Sequence, residues 1–378
     1  MRILHLITSL STGGAEVMLQ KLVRTQHAES HAVSVVSLTG AVPIGIEMRA
    51  QGIPVLALGG RAGMLLPHQI WRLVRAYRRF QPDVVHSWMY HANVLAHMLP
   101  GLSARQARPG LLISVRGAVH APQQQKLTLR AVRKIDARMS QRAEAIVFNS
   151  RRSAEQHAAL GYDPGKMIVI PNCFDGHEYQ PMPAERARMR AVLGCDGSVL
   201  VGLVARFERL KDHRGFLQAA RSVADRCPRA RFLLVGRGCD RGNAQLMRWI
   251  SELGLGEQVQ VLGERRDIAA IDNALDVVVC SSVSESFPNA IGEAMACGIP
   301  AVVTDVGDCG YLVGDTGRVV PAGHPQALAD AIIELANLPH EVRAALGARA
   351  RARITGEFSL ERIAARFTDV YESCIRRH

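Results

Sequence analysis

No stretch of about 20 uninterrupted apolar residues occurs in the chain, so a membrane-spanning helix is not expected. The apolar start Arg2 to Ile7 leads to a turn at Gly13-Gly14, with no small-residue cleavage site, so no secretory leader is expected either. The eight cysteines include no Cys-x-x-Cys pair, which speaks against a disulfide framework or a zinc site and for free thiols in a reducing cytoplasm. Aromatic residues are few, at 5%, and no Lys/Arg tract is interleaved with them, so a nucleic-acid partner is not expected. Several catalytic signatures are also missing. The chain lacks Gly-x-x-x-x-Gly-Lys-[Ser/Thr], Gly-x-Ser-x-Gly, His-Glu-x-x-His and Asp-x-Asp. P-loop, serine-hydrolase and zincin chemistry fall away with them, and no metal or other cofactor is expected.

What is present is a basic, globular chain of 378 residues, with 46 Lys+Arg against 34 Asp+Glu. At about 150 residues per domain, the length predicts more than one domain. Short apolar runs such as Val84-Val85, Leu111 to Val115, Val199 to Val204 and Val277 to Cys280 alternate with segments of helical periodicity. That alternation predicts parallel sheets built from β-α-β units, and it starts afresh near Val199. The predicted fold class is α/β, with two doubly wound Rossmann-like domains facing across a cleft. The expected boundaries are 1–180 and 181–357, with polar Asp175 to Gly194 as the link. A terminal helix over 358–378 is expected to return to the first domain.

Ligands of doubly wound sheets bind beyond the carboxyl ends of the strands. Three segments sit at such places. The first runs Glu285-Ser286-Phe287-Pro288-Asn289-Ala290-Ile291-Gly292-Glu293. Pro288 suits a helix start, so backbone N–H groups of Phe287 to Ala290 can meet an anion or a sugar oxygen. Glu285 and Glu293 can each accept hydrogen bonds from neighbouring hydroxyls, as a sugar and a ribose offer. The second runs Arg206-Phe207-Glu208-Arg209-Leu210-Lys211-Asp212. Arg206 and Lys211 could grip a pyrophosphate leaving group; by itself the run reads equally well as a surface charge cluster. The third, Ser11-Thr12-Gly13-Gly14-Ala15-Glu16, is a Gly loop that permits close approach of a phosphate. Gly236-Arg237-Gly238-Cys239-Asp240-Arg241-Gly242 misses the dinucleotide pattern by one residue. The histidines have no metal-ligand spacing; His91 could face the cleft but reads first as structural.

Together the Glu285/Glu293 segment, the Arg206/Lys211 loop, Gly13-Gly14-Ala15-Glu16 and Ile170-Pro171-Asn172 resemble a retaining glycosyltransferase of family 4. Val84 to Ala92 and Val306-Gly307-Asp308 are most similar to the subgroup working in bacterial O-antigen, capsule or exopolysaccharide assembly. The resemblance implies the GT-B fold, with the acceptor on the first domain and a UDP- or GDP-linked sugar on the second. It implies that Arg206 and Lys211 hold the donor pyrophosphate, Glu285 the transferred sugar, and Glu293 the ribose. Backbone around Phe287, Pro288 and Asn289 would meet sugar and phosphate, and Gly13 and Gly14 would come close to the donor. It further implies a front-face transfer in which the departing phosphate oxygen takes the acceptor proton. Family members carry a His after the strand that ends here at Val115. In this chain Arg116 fits the subgroup, Gly117 stands in the His position, and His120 follows three residues on. His91, Arg116 and His120 are thus the acceptor-side candidates. The implied acceptor is a glycan or lipid-linked glycan, and the basic helices Ile70 to Phe80 and Lys126 to Arg142 offer a face to an anionic inner membrane. The alternatives are a sugar-nucleotide 2-epimerase, which needs no acceptor, and a non-catalytic partner of polysaccharide assembly, which needs none of the four charged residues.

Overall fold

The computed structural model describes residues 1–61, 65–103, 108–119 and 127–376. They form two compact units, Met1–Cys173 with Leu360–His378, and Phe174–Ser359.

The first unit holds seven strands: β1 Arg2–Ile7, β2 Ala32–Ser37, β3 Val55–Ala57, β4 Val84–Trp88, β5 Gly110–Val115, β6 Ala145–Phe148 and β7 Met167–Val169. They pair in parallel in the order β3-β2-β1-β4-β5-β6-β7. Every residue of β4 and β5 is buried, as expected of central parallel strands covered by helices on both faces. One apolar core lies on each side of the sheet, around Leu19 and Phe367 on one and Tyr77 and Phe148 on the other.

The terminal helix Leu360–Arg376 belongs to this unit. Ile363, Ala364, Phe367, Val370, Tyr371 and Cys374 are buried along it, at helical spacing. Burial of Ile363, Phe367 and Val370 contributes about 1.5–3 kcal/mol each. The Tyr371 hydroxyl accepts from Gln26 Nε2 at 3.2 Å and lies 2.8 Å from His86 Nδ1, tying the helix to the polar centre of the sheet.

The second unit holds six strands: β8 Val199–Val204, β9 Ala230–Val235, β10 Val259–Val261, β11 Val277–Cys280, β12 Ala301–Thr304 and β13 Arg318–Val320. The order is β10-β9-β8-β11-β12-β13, again all parallel. Both sheets therefore reverse their strand order once, between β1 and β4 in the first and between β8 and β11 in the second. No helix among the described residues is long and apolar enough to cross a membrane, and all eight cysteines are free and buried.

The chain changes unit between Cys173 and Phe174, ahead of the expected 180/181. Cys173 is packed in the first unit's core and Phe174 in the second's. The stretch expected as a polar link is instead part of the second unit: Tyr179 is buried and Pro183–Leu193 is a helix. That helix is held by Arg186 and Arg190, which reach the carboxylate of Asp276 at 2.7 and 3.0 Å. The basic helix expected over Lys126 to Arg142 is Leu127–Met139 followed by a 3-10 turn, Ser140–Arg142.

A buried carboxyl in the first unit gives a stability prediction. Asp136 Oδ2 accepts from Asn93 Nδ2 at 3.1 Å and from the Tyr162 hydroxyl at 2.7 Å, while Oδ1 has no partner. Burial pushes its pKa up to about 7, against those two hydrogen bonds. A folded-state pKa above the unfolded value means the contribution is full below the unfolded carboxyl pKa and is lost as pH rises through about 7. Asp136→Asn cannot ionise. Between pH 5 and 8 its stability should therefore improve relative to the parent protein by about 2 kcal/mol, read from denaturant melts at the two pH values.

Candidate active site

The second unit concentrates the charged candidates where its strand order reverses. The loop after β8 carries Arg206 and Lys211, and the loop after β11 carries Glu285. Ligands of open α/β sheets bind at such a reversal of strand order.

These loops are fastened together. Val283 N–H donates to the Leu210 carbonyl at 2.9 Å, and Ser281 Oγ donates to the Lys211 carbonyl at 2.8 Å. Lys211 Nζ donates to Glu285 Oε2 across the gap, and the two side chains are 24% and 17% exposed. Burial works against the Lys211 ammonium, but Glu285, with Cys280 and Glu208, outweighs it and holds the pKa above the usual lysine value. Lys211 therefore stays charged. Arg206 is more open, 51% exposed, with Glu208 at 3.4 Å. An exposed pair of this kind holds little energy, so an incoming anion can take Arg206 over. Asp212, just after Lys211, caps the helix His213–Arg226 by accepting from Gly215 N–H at 3.0 Å, which fixes the end of the loop.

Two glycines let neighbouring loops close on this place. At Gly236, φ is +139°, and a Cβ would lie 2.3 Å from the Ala205 carbonyl oxygen. The near-miss Gly loop after β9 thus serves the close packing of the Arg206 loop; Phe207 N–H also donates to the Arg237 carbonyl at 2.8 Å. At Gly307, φ is +54°, and a Cβ would lie 2.3 Å from the Glu285 carbonyl oxygen. Any other residue there pushes the Glu285 loop out of position.

The helix after Glu285 is Asn289–Ala296, with Pro288 as its N-cap. Phe287 is buried, its ring centre 5.6 Å from that of Phe358. Gly298 closes the helix with φ at +81°: its N–H reaches Met295 O at 2.9 Å and Ile299 N–H reaches Ala294 O at 3.0 Å. Glu293 is half-buried inside the helix. Beside it stands Asp272, fully buried on the helix Ile268–Ala274, with neither carboxyl oxygen hydrogen-bonded. Burial first, and then the charge of Glu293, push the Asp272 pKa well above its ordinary value. Asp272 is absent from the residues expected in this site. A lone aspartate in a helix carries no pattern that separates it from a solvated one.

Gly13, Gly14, His91 and Arg116 lie in the first unit, around the strand reversal of that sheet. Gly13 is the N-cap of the helix Gly14–Ala28 after β1. Met89, which follows β4, has φ at +72° and donates to Ser114 O at 2.9 Å; His91 then sits in the first turn of Tyr90–Ala96. His91 is half-buried, and burial lowers its pKa. Arg116 follows β5, buried, with Nη1 donating to Asn172 Oδ1 at 2.6 Å. Gly117 offers its carbonyl to Ser153 Oγ at 2.8 Å. His120 lies outside the described residues.

Residues 12–177 match the family described as Glycosyltransferase Family 4, and residues 198–337 match Glycosyl transferases group 1. The chain is similar to the D-inositol 3-phosphate glycosyltransferase of Rhodococcus erythropolis, 33% identical over 240 residues, which is 61% of this chain and 53% of the relative. The enzyme of the same name from Mycobacterium tuberculosis is 33% identical over 227 residues, 58% of this chain and 46% of that one. The chain thus spans about half the length of the curated relatives it matches. Among solved structures, Anabaena HepE in complex with UDP aligns with a TM-score of 0.85 at 24% identity, covering 99% of this chain and all of that one. Sucrose-phosphate synthase of Thermosynechococcus elongatus aligns with a TM-score of 0.81 at 19% identity, and each chain is covered completely. With a family 4 match in one unit, a group 1 match in the other and these neighbours, the chain has the GT-B fold and resembles glycosyltransferases in each of its two units.

Proposed function

We propose that the protein is a retaining hexosyltransferase that takes its sugar from a nucleotide donor, UDP- or GDP-linked, with the second unit as the donor site. The observation that carries this reading is the pair of loops at the β8/β11 reversal, with Arg206 and Lys211 on one and Glu285 on the other. A donor pyrophosphate gains charge as the sugar leaves, and two cations held beside it favour that state over the ground state. In this reading Glu285, held by Lys211, accepts from sugar hydroxyls, and Glu293 from those of the ribose. The Anabaena neighbours, solved in complex with UDP and with UDP-glucose, support UDP over GDP.

The acceptor we assign to the first unit is a glycan or lipid-linked glycan of cell-surface polysaccharide assembly. A surface on that unit supports an anionic inner membrane as its setting. The helix Pro67–Phe80 exposes Trp71, follows the exposed Leu66, carries Arg72, Arg75, Arg78 and Arg79, and seats Arg75 Cζ 5.2 Å from the Trp71 ring centre. An aromatic among arginines suits the interface of an anionic bilayer.

The donor reading is tested by thermal shift with a panel of nucleotide sugars and free nucleoside diphosphates. A ligand that binds only the folded state raises the melting temperature by mass action. A UDP-sugar should give the largest rise, and Glu293→Ala should abolish it. A flat response to every nucleotide would set the reading aside in favour of a non-catalytic partner.

A further inference from the structure

Arg116 is 8% exposed, at the carboxyl end of β5. Its Nη1 is spoken for by Asn172, but its Nε and Nη2 are buried with no hydrogen-bond partner among the described residues. These two nitrogens form one edge of the guanidinium, where the N–H bonds run parallel. That edge matches two oxygens of a phosphate or a carboxylate. The plane is held in place, with Cζ 5.0 Å from the Trp88 ring centre and 5.4 Å from that of Phe367.

The charge has no counter-charge among the described residues. Burial lowers the Arg116 pKa to about 10, so it remains a cation at neutral pH, and the groups that favour its charge are Cys173 and Tyr371 rather than a carboxylate. Neighbouring His86 is kept neutral by burial, by His5 and by Arg116 itself. A buried cation with two idle donors is a standing cost, and a bound oxyanion removes it.

We propose that Arg116 is an anion-binding residue, gripping with its Nε–Nη2 edge a phosphate or carboxylate group that the acceptor carries. The proposal rests on the reading that the first unit takes the acceptor, and it narrows that acceptor to an anionic one. Arg116 is then a specificity-determining residue: a neutral acceptor leaves the edge unpaired.

Trp88 reports on the site, since Arg116 lies over its ring. The chain has three tryptophans, so Trp71→Phe with Trp249→Phe leaves Trp88 alone. In that background, with UDP at saturation and ionic strength constant, inorganic phosphate and D-glucuronate are titrated against Trp88 emission. A saturable change is expected. Response to phosphate marks a phosphorylated acceptor, and response to glucuronate an acidic sugar. Arg116→Lys keeps the charge but loses the fork, and should weaken the response by about tenfold or more. The UDP-induced rise in melting temperature is read on the same protein without the anion, so failure of the donor reading shows separately. No saturable response to either anion, or equal curves for Arg116→Lys and its parent, overturns the proposal. Should the variant not fold, the Nε–H resonance of Arg116 in the 15N-labelled protein decides: a shift on adding the anion supports the proposal, and a fixed resonance overturns it.

Discussion

Replacing Lys211 with Met should lower kcat/KM for sugar transfer by about 10²–10³, the usual cost of removing one fixed donor from developing negative charge. The change also lowers stability, because Glu285 is left as a largely buried carboxylate without its cation. The two effects separate in a double variant. Lys211→Met with Glu285→Gln removes the stranded charge, so the melting temperature should recover much of its loss. Activity should not recover, since neither the pyrophosphate cation nor the sugar-facing carboxylate returns. Activity that recovers along with the melting temperature would mean the pair is a structural strut. The donor giving the largest thermal shift serves for the assay.

The second large effect is loss of the first unit in mild acid. His5 and His157 are fully buried, and both carry a pKa lowered by burial to about 4. His97 is lowered to about 4 as well, by burial and then Arg142, and His86 falls well below its ordinary value. Each is used as a neutral ring: His5 Nε2 lies 2.9 Å from Gln26 Oε1 while its Nδ1 accepts from Trp88 Nε1 at 3.2 Å. A folded-state pKa below the unfolded one gives stability that is full above about pH 6.5 and is lost as pH falls through about 4. Each histidine then contributes up to about 3 kcal/mol, and a domain holds only about 5–15. Asp136 titrates with the opposite sign and offsets one of them. In the second unit, His213 shows the same burial-driven shift, to about 4. Between pH 6.5 and 4.5 the first unit should therefore open before the second. Buried Trp88 in the first unit and Trp249 in the second report the order in single-tryptophan variants. A single coincident transition would contradict it, and His157→Gln should flatten the slope by about one proton.

How far the fold could be read from sequence follows from what each residue is buried by. Strands such as β5, β8 and β11 were legible, because they are apolar runs buried in the sheet and broken by turns. The helix Pro183–Leu193 was not. Only Met189 and Arg190 of it are buried, and Arg190 is held by Asp276 and the Ala274 carbonyl, a polar anchoring that hydrophobic period cannot register. The change of unit at Cys173/Phe174 was hidden for a related reason: two adjacent residues enter two different cores with no break in composition. Within the second unit's site, Arg206, Lys211, Glu285 and Glu293 were visible as residue types at strand ends. That Lys211 and Glu285 meet, that Asp272 is buried beside Glu293, and that Arg116 keeps an unpaired edge all depend on packing across distant segments.

The central claim is that the loops after β8 and β11 form the nucleotide-sugar site. Hydrogen exchange of backbone amides with and without UDP tests it most directly. The claim predicts slowed exchange in residues 205–212 and 283–293, and loss of that protection in Arg206→Gln. Protection confined to other segments, or none at saturating UDP, would contradict it.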